Sequence, residues 1–156
     1  MAPQYLLGTN ICIYIRQKRP PEVLARFRGM TPGQVGMSVI THGELVYGAE
    51  QSDRRERSLQ DLHELSDLIP VLPLPDAAGP EYGQLRAKLE ELGKLIGNND
   101  LWIAAHAKAA GLILVTNNEK EFRRMEGLRI ENWAGKKRLR QHLRAAPYGG
   151  VWIRPR

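Results

Sequence analysis

The strongest constraint on the fold is a helix followed by a strand near the middle of the chain. Residues 98–107 start with two asparagines and Asp100 and continue as an apolar stretch, which predicts a buried helix with a carboxylate in its first turn. Residues 111–118, GLILVTNN, predict a buried strand that runs into a polar turn. An open α/β sheet binds ligands beyond the carboxyl ends of its strands. We therefore expect Asp100 and the turn at Thr116 to lie near the functional site.

The rest of the first 135 residues alternates between strand and helix patterns. Further strands are predicted at 5–7, 35–39 and 125–133, and helices at 22–28, 52–68 and 81–95, the last ending at Gly97. Residues 11–15 fit either a strand or a buried helix, and the three prolines in 69–75 allow only an edge strand or an irregular segment. This alternation predicts an α/β fold, with a central, mainly parallel sheet flanked by helices on both faces.

Length and charge suggest how the chain is divided. A chain of 156 residues favours one domain. The net charge of +6 arises at one end, because residues 1–135 carry 16 basic and 17 acidic side chains whereas residues 136–156 carry seven basic and no acidic ones. We therefore predict a domain at 1–135 and a basic tail at 136–156. The tail fits either a nucleic-acid contact or a solvated appendage, because charge alone does not identify a partner.

The sequence argues for a cytoplasmic protein. No apolar run approaches the ~18 residues that span a bilayer, and the first residues lack the basic region of a signal peptide. The single cysteine, Cys12, excludes an internal disulfide and suits a reducing compartment. We expect Cys12 to lie in the core and His106 to be a packed or hydrogen-bonded residue. Ser38 or Thr41 could cap the helix that carries Glu44.

Three acidic residues follow small or polar residues at predicted element ends. They are Glu44, Asp100 and Glu121. Taken singly, a carboxylate in the first turn of a helix could do no more than favour the helix dipole, by about 0.3–1 kcal/mol. If the three converge, their repulsion requires a bound cation or a proton. A set of oxygen ligands without a cysteine pair or an HExxH motif suits Mg²⁺ or Mn²⁺ better than Zn²⁺.

Four sequence blocks together resemble a known family. They are LLGTNI at 6–11, SVITHGEL at 38–45, GNNDLWIAAHA at 97–107 and VTNNEKEF at 115–122, followed by ENW at 131–133. In this order and spacing they resemble the PIN-domain ribonucleases, and in particular the VapC toxins of bacterial toxin–antitoxin pairs. The similarity runs from Tyr5 to Trp133. It implies a PIN-like parallel sheet with helices on both sides, and an acidic pocket that binds Mg²⁺ or Mn²⁺ and hydrolyses RNA.

The resemblance also assigns roles to eight positions. The family's metal-binding acids correspond to position 8, Glu44, Asp100 and a fourth acid near the Thr116 turn, and Thr9, Asn10, Thr116 and Asn118 would support them. Many relatives carry the fourth acid where this chain has Asn118. Relatives with two asparagines in this turn use the glutamate before the phenylalanine, which is Glu121 here. We therefore predict Glu121 as the fourth acid and Asn118 as its polar supporter.

The chain departs from the family pattern at Gly8. The family has aspartate at this position, and glycine supplies no ligand. One hypothesis is that the chain is a toxin nuclease inactivated by this substitution. The alternative is a catalytically silent PIN-fold module that binds RNA or an antitoxin.

The resemblance implies partners as well. It implies a homodimer and a VapB-type antitoxin whose C-terminal segment fills the acidic groove, with a higher assembly on operator DNA. The implied substrate is RNA, and tRNA in particular. Initiator tRNA is a guess taken from relatives that carry Thr-Asn-Ile near the start.

Overall fold

Five strands form the central sheet of the computed structural model, which describes residues 2–134. They are Tyr5–Leu7 (β1), Val35–Ser38 (β2), Val71–Leu72 (β3), Ile113–Val115 (β4) and Ile130–Glu131 (β5). Their order across the sheet is β3-β2-β1-β4-β5, and every neighbouring pair is parallel. The predicted parallel α/β sheet is confirmed. The proline-containing segment provides β3, which lies at an edge as its missing N–H donors require.

Seven helices connect these strands within the described residues. They are Thr9–Gln17 (α1), Pro21–Arg28 (α2), Val39–Glu50 (α3), Arg55–Leu68 (α4), Ala78–Glu91 (α5), Asn98–Ala110 (α6) and Glu119–Phe122 (α7). The ambiguous segment 11–15 belongs to α1, where all five side chains are buried. A short run buried on every side carries no period that could distinguish a helix from a strand.

One predicted helix end was wrong. Helix α5 ends at Glu91, whereas the sequence pattern suggested Gly97. Gly93 takes a positive φ of 69°, and the following Lys94 N–H donates to the Leu89 carbonyl at 2.8 Å. This left-handed turn is the usual way a helix ends at glycine, and it comes before Leu95 can continue the apolar stripe.

The sheet carries a hydrophobic core on each face. Leu6 and Leu7 are both fully buried, and because successive strand residues point to opposite faces they enter different clusters. The Leu7 cluster includes residues of α1 to α4, and the Leu6 cluster includes residues of α5 and α6. Helices therefore cover both faces, and the carboxyl ends of the central strands are left as the open edge.

The last described residues close the domain. Trp133 is fully buried, and its ring nitrogen donates to the Glu131 carboxylate at 3.0 Å. The predicted basic tail at 136–156 lies outside the described residues. Among residues 2–134, every helix is too short or too polar to cross a membrane.

Candidate active site

The three central strands end beside one another, and a cleft opens at this edge. Gly8 follows β1, helix α3 follows β2, and Thr116 follows β4. The cleft has a volume of about 1600 Å³, and its lining includes most of the predicted site residues: Gly8, Thr9, Asn10, Glu44, Asp100, Thr116 and Asn118. The lining does not include Glu121. The topology thus brings together blocks that are far apart in the sequence.

The backbone at Gly8 does not need glycine. Its φ of −69° and ψ of 167° are open to any residue, and its N–H donates to the Val115 carbonyl at 2.8 Å. A Cβ added here would lie 3.0 Å from that carbonyl oxygen and 4.0 Å from Thr116 Cβ. Accommodating this Cβ would therefore require the Val115 carbonyl to shift by a few tenths of an ångström.

Two neutral donors hold the carboxylate of Glu44. The Thr9 hydroxyl donates to Oε1 at 2.5 Å, and the Asn99 amide donates to Oε2 at 3.1 Å. Thr9 Oγ1 also lies 3.2 Å from the hydroxyl of the buried Thr41. Both oxygens of Glu44 are therefore fixed by residues from other elements, α1 on one side and α6 on the other.

Asp100 is the electrostatically strained member of the site. It lies in the first turn of α6, where the helix dipole favours an ionised carboxylate. Burial nevertheless raises its pKa from 3.8 to about 6, and the charges of Glu121 and then Glu44 add to the increase. The charges of the two glutamates thus reach Asp100, which holds a proton more readily than an exposed aspartate does.

The turn after β4 holds Glu121 in place. The Thr116 hydroxyl accepts the N–H of Asn118 at 2.9 Å, and the Asn118 amide donates to Glu121 Oε1 at 2.7 Å. Asn118 therefore orients the carboxylate of Glu121. In this orientation Glu121 contributes charge to the site, while Asn118 forms part of the cleft wall.

Asn10 is tied to the same turn. Its amide nitrogen donates to Asn117 Oδ1 at 3.0 Å, and the Asn117 amide donates to the hydroxyl of buried Tyr14 at 2.9 Å. This chain of contacts links the start of α1 to the turn after β4. One N–H of the Asn10 amide is engaged in this contact, and Oδ1 is the acceptor that Asn10 can offer to a ligand in the cleft.

A buried polar contact fixes the two helices that carry Glu44 and Asp100. Ser38 caps α3 by accepting the Ile40 N–H at 3.1 Å, and its Oγ lies 2.9 Å from Nδ1 of His106 on α6. Burial lowers the pKa of His106, which therefore stays neutral near pH 7. The expectations for the cap and for His106 are confirmed: Ser38, not Thr41, is the cap, and His106 is a packed hydrogen-bonding residue. Cys12 is buried in the core, as expected.

The donors suit a hard divalent cation in kind, but not in number. The carboxylates of Glu44 and Asp100 line the cleft together with hydroxyl and amide oxygens, and such oxygen donors favour Mg²⁺ or Mn²⁺. Within residues 2–134, however, no three acidic, histidine or cysteine side chains lie close enough together to form a metal site. Gly8 supplies no carboxylate to the cleft, and Glu121 is turned towards Asn118.

Comparison with known proteins identifies the family. The family model for the PIN domain matches residues 5–128. The ribonuclease VapC2 of Haemophilus influenzae is 44% identical over 130 residues, which cover 83% of this chain and 98% of that protein. The chain belongs to the VapC family of PIN-domain ribonucleases. A tRNA(fMet)-specific endonuclease VapC of Shigella flexneri is 42% identical over 131 residues, which cover 84% of this chain and 98% of the relative.

Solved structures of VapC proteins have the same fold. The VapBC complex of Salmonella typhimurium bound to DNA contains a chain that matches with a TM-score of 0.79 and 38% identity, over 84% of this chain and 98% of that one. VapBC-1 of nontypeable Haemophilus influenzae gives a TM-score of 0.78 and 37% identity, over 84% and 98%. The PIN-like fold expected from the sequence blocks is therefore confirmed.

Sequence reasoning missed Asn99, the amide that contacts Glu44. The sequence placed two asparagines before Asp100 but gave no basis for choosing between them, because their contacts depend on where α3 and α5 lie. It also missed Asn117 as the link between Asn10 and Tyr14. The sequence feature that could have pointed to both residues is the pair of asparagines in each of the two turns, which is unusual beside apolar segments.

Proposed function

We propose that the chain is the toxin of a VapBC-type pair and that its cleft is the active site of a metal-dependent endoribonuclease that cuts tRNA. The observation that carries this proposal is the cleft at the carboxyl ends of the central strands, whose lining brings together Glu44 and Asp100 from distant parts of the sequence. Initiator tRNA is the proposed substrate, because the Shigella flexneri relative is specific for tRNA(fMet). The proposed setting is the cytoplasm.

The proposed division of labour follows from the contacts. Glu44, Asp100 and Glu121, with an aspartate at position 8, would hold Mg²⁺ or Mn²⁺. The bound ion would lower the pKa of a water molecule and stabilise negative charge on the phosphate oxygens. Thr9 and Asn118 orient two of the carboxylates. Asn10 and Thr116, at the wall of the cleft, would position the phosphate or the attacking water.

We propose further that Gly8 leaves this chain with little nuclease activity of its own. Carboxylates assist cation binding through charge and direct ligation, and glycine provides neither. The backbone at position 8 accepts a Cβ with a small shift. The proposed loss of nuclease activity therefore comes from the missing carboxylate, and the fold is kept.

The test is to restore the missing carboxylate. Purified Gly8→Asp should cleave total tRNA with Mg²⁺ and lose activity in EDTA, and the unchanged chain should cleave far more slowly. Gly8→Asn is the matched control, because it has the same shape and lacks the charge, and it should stay inactive. Cleavage of DNA but not RNA by Gly8→Asp would overturn the substrate class. If Gly8→Asp cleaves neither RNA nor DNA, the proposal that the chain is a nuclease fails.

A silent binding module is the second candidate, and Gly8 is the observation that favours it. In that case the cleft would bind RNA or a VapB-type antitoxin without chemistry, and Gly8→Asp would bind the same partner with no turnover. In either case we propose a homodimer and an antitoxin seated in the cleft. We also propose an assembly with operator DNA, because VapBC of Salmonella typhimurium and VapBC2 of Rickettsia felis were crystallised bound to DNA.

A further inference from the structure

The carboxylate of Glu44 is held by residues from two different elements. Thr9, at the start of α1, donates to one oxygen, and Asn99, in the first turn of α6, donates to the other. The family resemblance already gives Thr9 a supporting role in the site. It gives no role to Asn99, whose contact with Glu44 joins positions 55 residues apart in the sequence.

The neighbouring Asn98 shows that this contact is selective. Both asparagines are exposed and lie in the first turn of α6. Asn98 accepts a hydrogen bond from the hydroxyl of Tyr82 on α5, whose ring stacks on Trp102 with centroids 3.9 Å apart. Asn98 therefore faces α5, whereas Asn99 faces the cleft and α3.

Glu44 needs such a restraint because its neighbour repels it. Glu44 and Asp100 line the same cleft, so their like charges face a shared space. An unrestrained glutamate side chain would rotate away from a like charge, and its rotamer freedom would favour that motion. A hydrogen bond from a neutral amide to a carboxylate opposes the rotation without adding a cation that would compete for the site.

We propose that Asn99 is a positioning residue that holds the carboxylate of Glu44 towards Asp100. Asn99 immediately precedes Asp100 on the same helix, so the first turn of α6 supplies both the contact to Glu44 and the second carboxylate of the cleft. The inference deepens the proposed function, because its consequence is a preformed pair of oxygen ligands. Its first test does not depend on nuclease activity.

The first test measures the order of the Glu44 side chain in the unchanged Gly8 protein without metal. Glutamate is labelled with ¹³C, and Glu44→Gln assigns the Glu44 signals. Asn99→Ala should increase rotamer averaging at Glu44, and the isosteric Asn99→Asp should do the same because it has no donor. Asn98→Ala, the matched control, should leave Glu44 unchanged. Equal order of Glu44 in Asn99→Ala and in the parent protein overturns the inference.

The second test measures Mn²⁺ affinity by calorimetry in Gly8→Asp. Residues that orient a metal ligand typically change affinity by about 10–100-fold, and the exposed position of Asn99 places the expected loss in Asn99→Ala near tenfold. Asn98→Ala should bind as Gly8→Asp does, and unaltered affinity in Asn99→Ala contradicts the inference. If Gly8→Asp cleaves no RNA, the proposed function fails, while the Glu44 measurement still decides the role of Asn99.

Discussion

Asp100→Asn should stabilise the metal-free protein at neutral pH. Burial and the two glutamates raise the pKa of Asp100 from 3.8 to about 6, so the folded state disfavours its ionised form. Between about pH 4 and about pH 6, Asp100 is therefore mostly protonated in the folded protein and mostly ionised in the unfolded chain. The free energy of unfolding should therefore fall as the pH rises from about 4 to about 6. Asparagine, which has no charge to lose, removes this dependence.

The magnitude follows from the two pKa values. Their difference corresponds to ~3 kcal/mol at about 1.36 kcal/mol per pH unit. Asp100 is only partly buried, and solvent screening reduces the effect, so we expect about 1.5 kcal/mol. For a domain of this size that corresponds to a rise of roughly 3–9 °C in melting temperature. Below about pH 4 the aspartate is protonated in both states, and the two proteins should melt together.

The assay is thermal unfolding from pH 3.5 to 8 in EDTA, with the parent protein, Asp100→Asn and the control Glu126→Gln at an exposed turn position outside the helices. The melting temperatures of Asp100→Asn and the parent should separate as the pH rises and remain apart above pH 7. Glu126→Gln should follow the parent throughout. A gap of the same size at pH 3.5 and pH 8 would mean that packing, and not ionisation, separates the proteins. A lower melting temperature for Asp100→Asn at pH 8 would refute the electrostatic reasoning.

Two further predictions concern stability. In EDTA at neutral pH, the free energy of unfolding of Gly8→Asp should be about 1–2 kcal/mol lower than that of the parent, because a further carboxylate joins the repelling acids. Mg²⁺ should restore this stability by binding the folded protein. A higher melting temperature for Gly8→Asp in EDTA would contradict the prediction. Ser38→Ala should lower the free energy of unfolding by about 2 kcal/mol in urea titrations, because α3 loses its cap and buried His106 loses its partner. A loss below about 0.5 kcal/mol would show that water replaces the hydroxyl.

The fold was largely predictable because its elements have local signatures. Leu6 and Leu7 enter opposite faces of a strand, Gly111 ends α6 in the left-handed conformation, and prolines confine 69–75 to an edge. Residues 11–15 could not be assigned, since burial on all sides removes the periodicity that separates helix from strand. The end of α5 was missed because Leu95 continued the apolar pattern beyond Gly93.

The candidate site was predictable only in outline. Parallel strands bring their carboxyl ends to one edge, so the sequence could place Glu44, Asp100 and the Thr116 turn near each other. It could not assign contacts between side chains of different elements. The pairing of Asn99 with Glu44 depends on how α6 packs beside α3, and this arrangement is set by tertiary contacts such as that of Ser38 with His106.

We expect carboxylates from separate parts of the chain to form one cation site once position 8 carries an acid. Crystals of Gly8→Asp soaked in Mn²⁺ test it most directly, because manganese is located by its anomalous scattering. We predict a manganese peak ligated by the side chains at position 8, Glu44, Asp100 and Glu121, and no peak there in the unchanged chain soaked in parallel. A manganese ion bound elsewhere, or an empty cleft in Gly8→Asp crystals, would contradict the account.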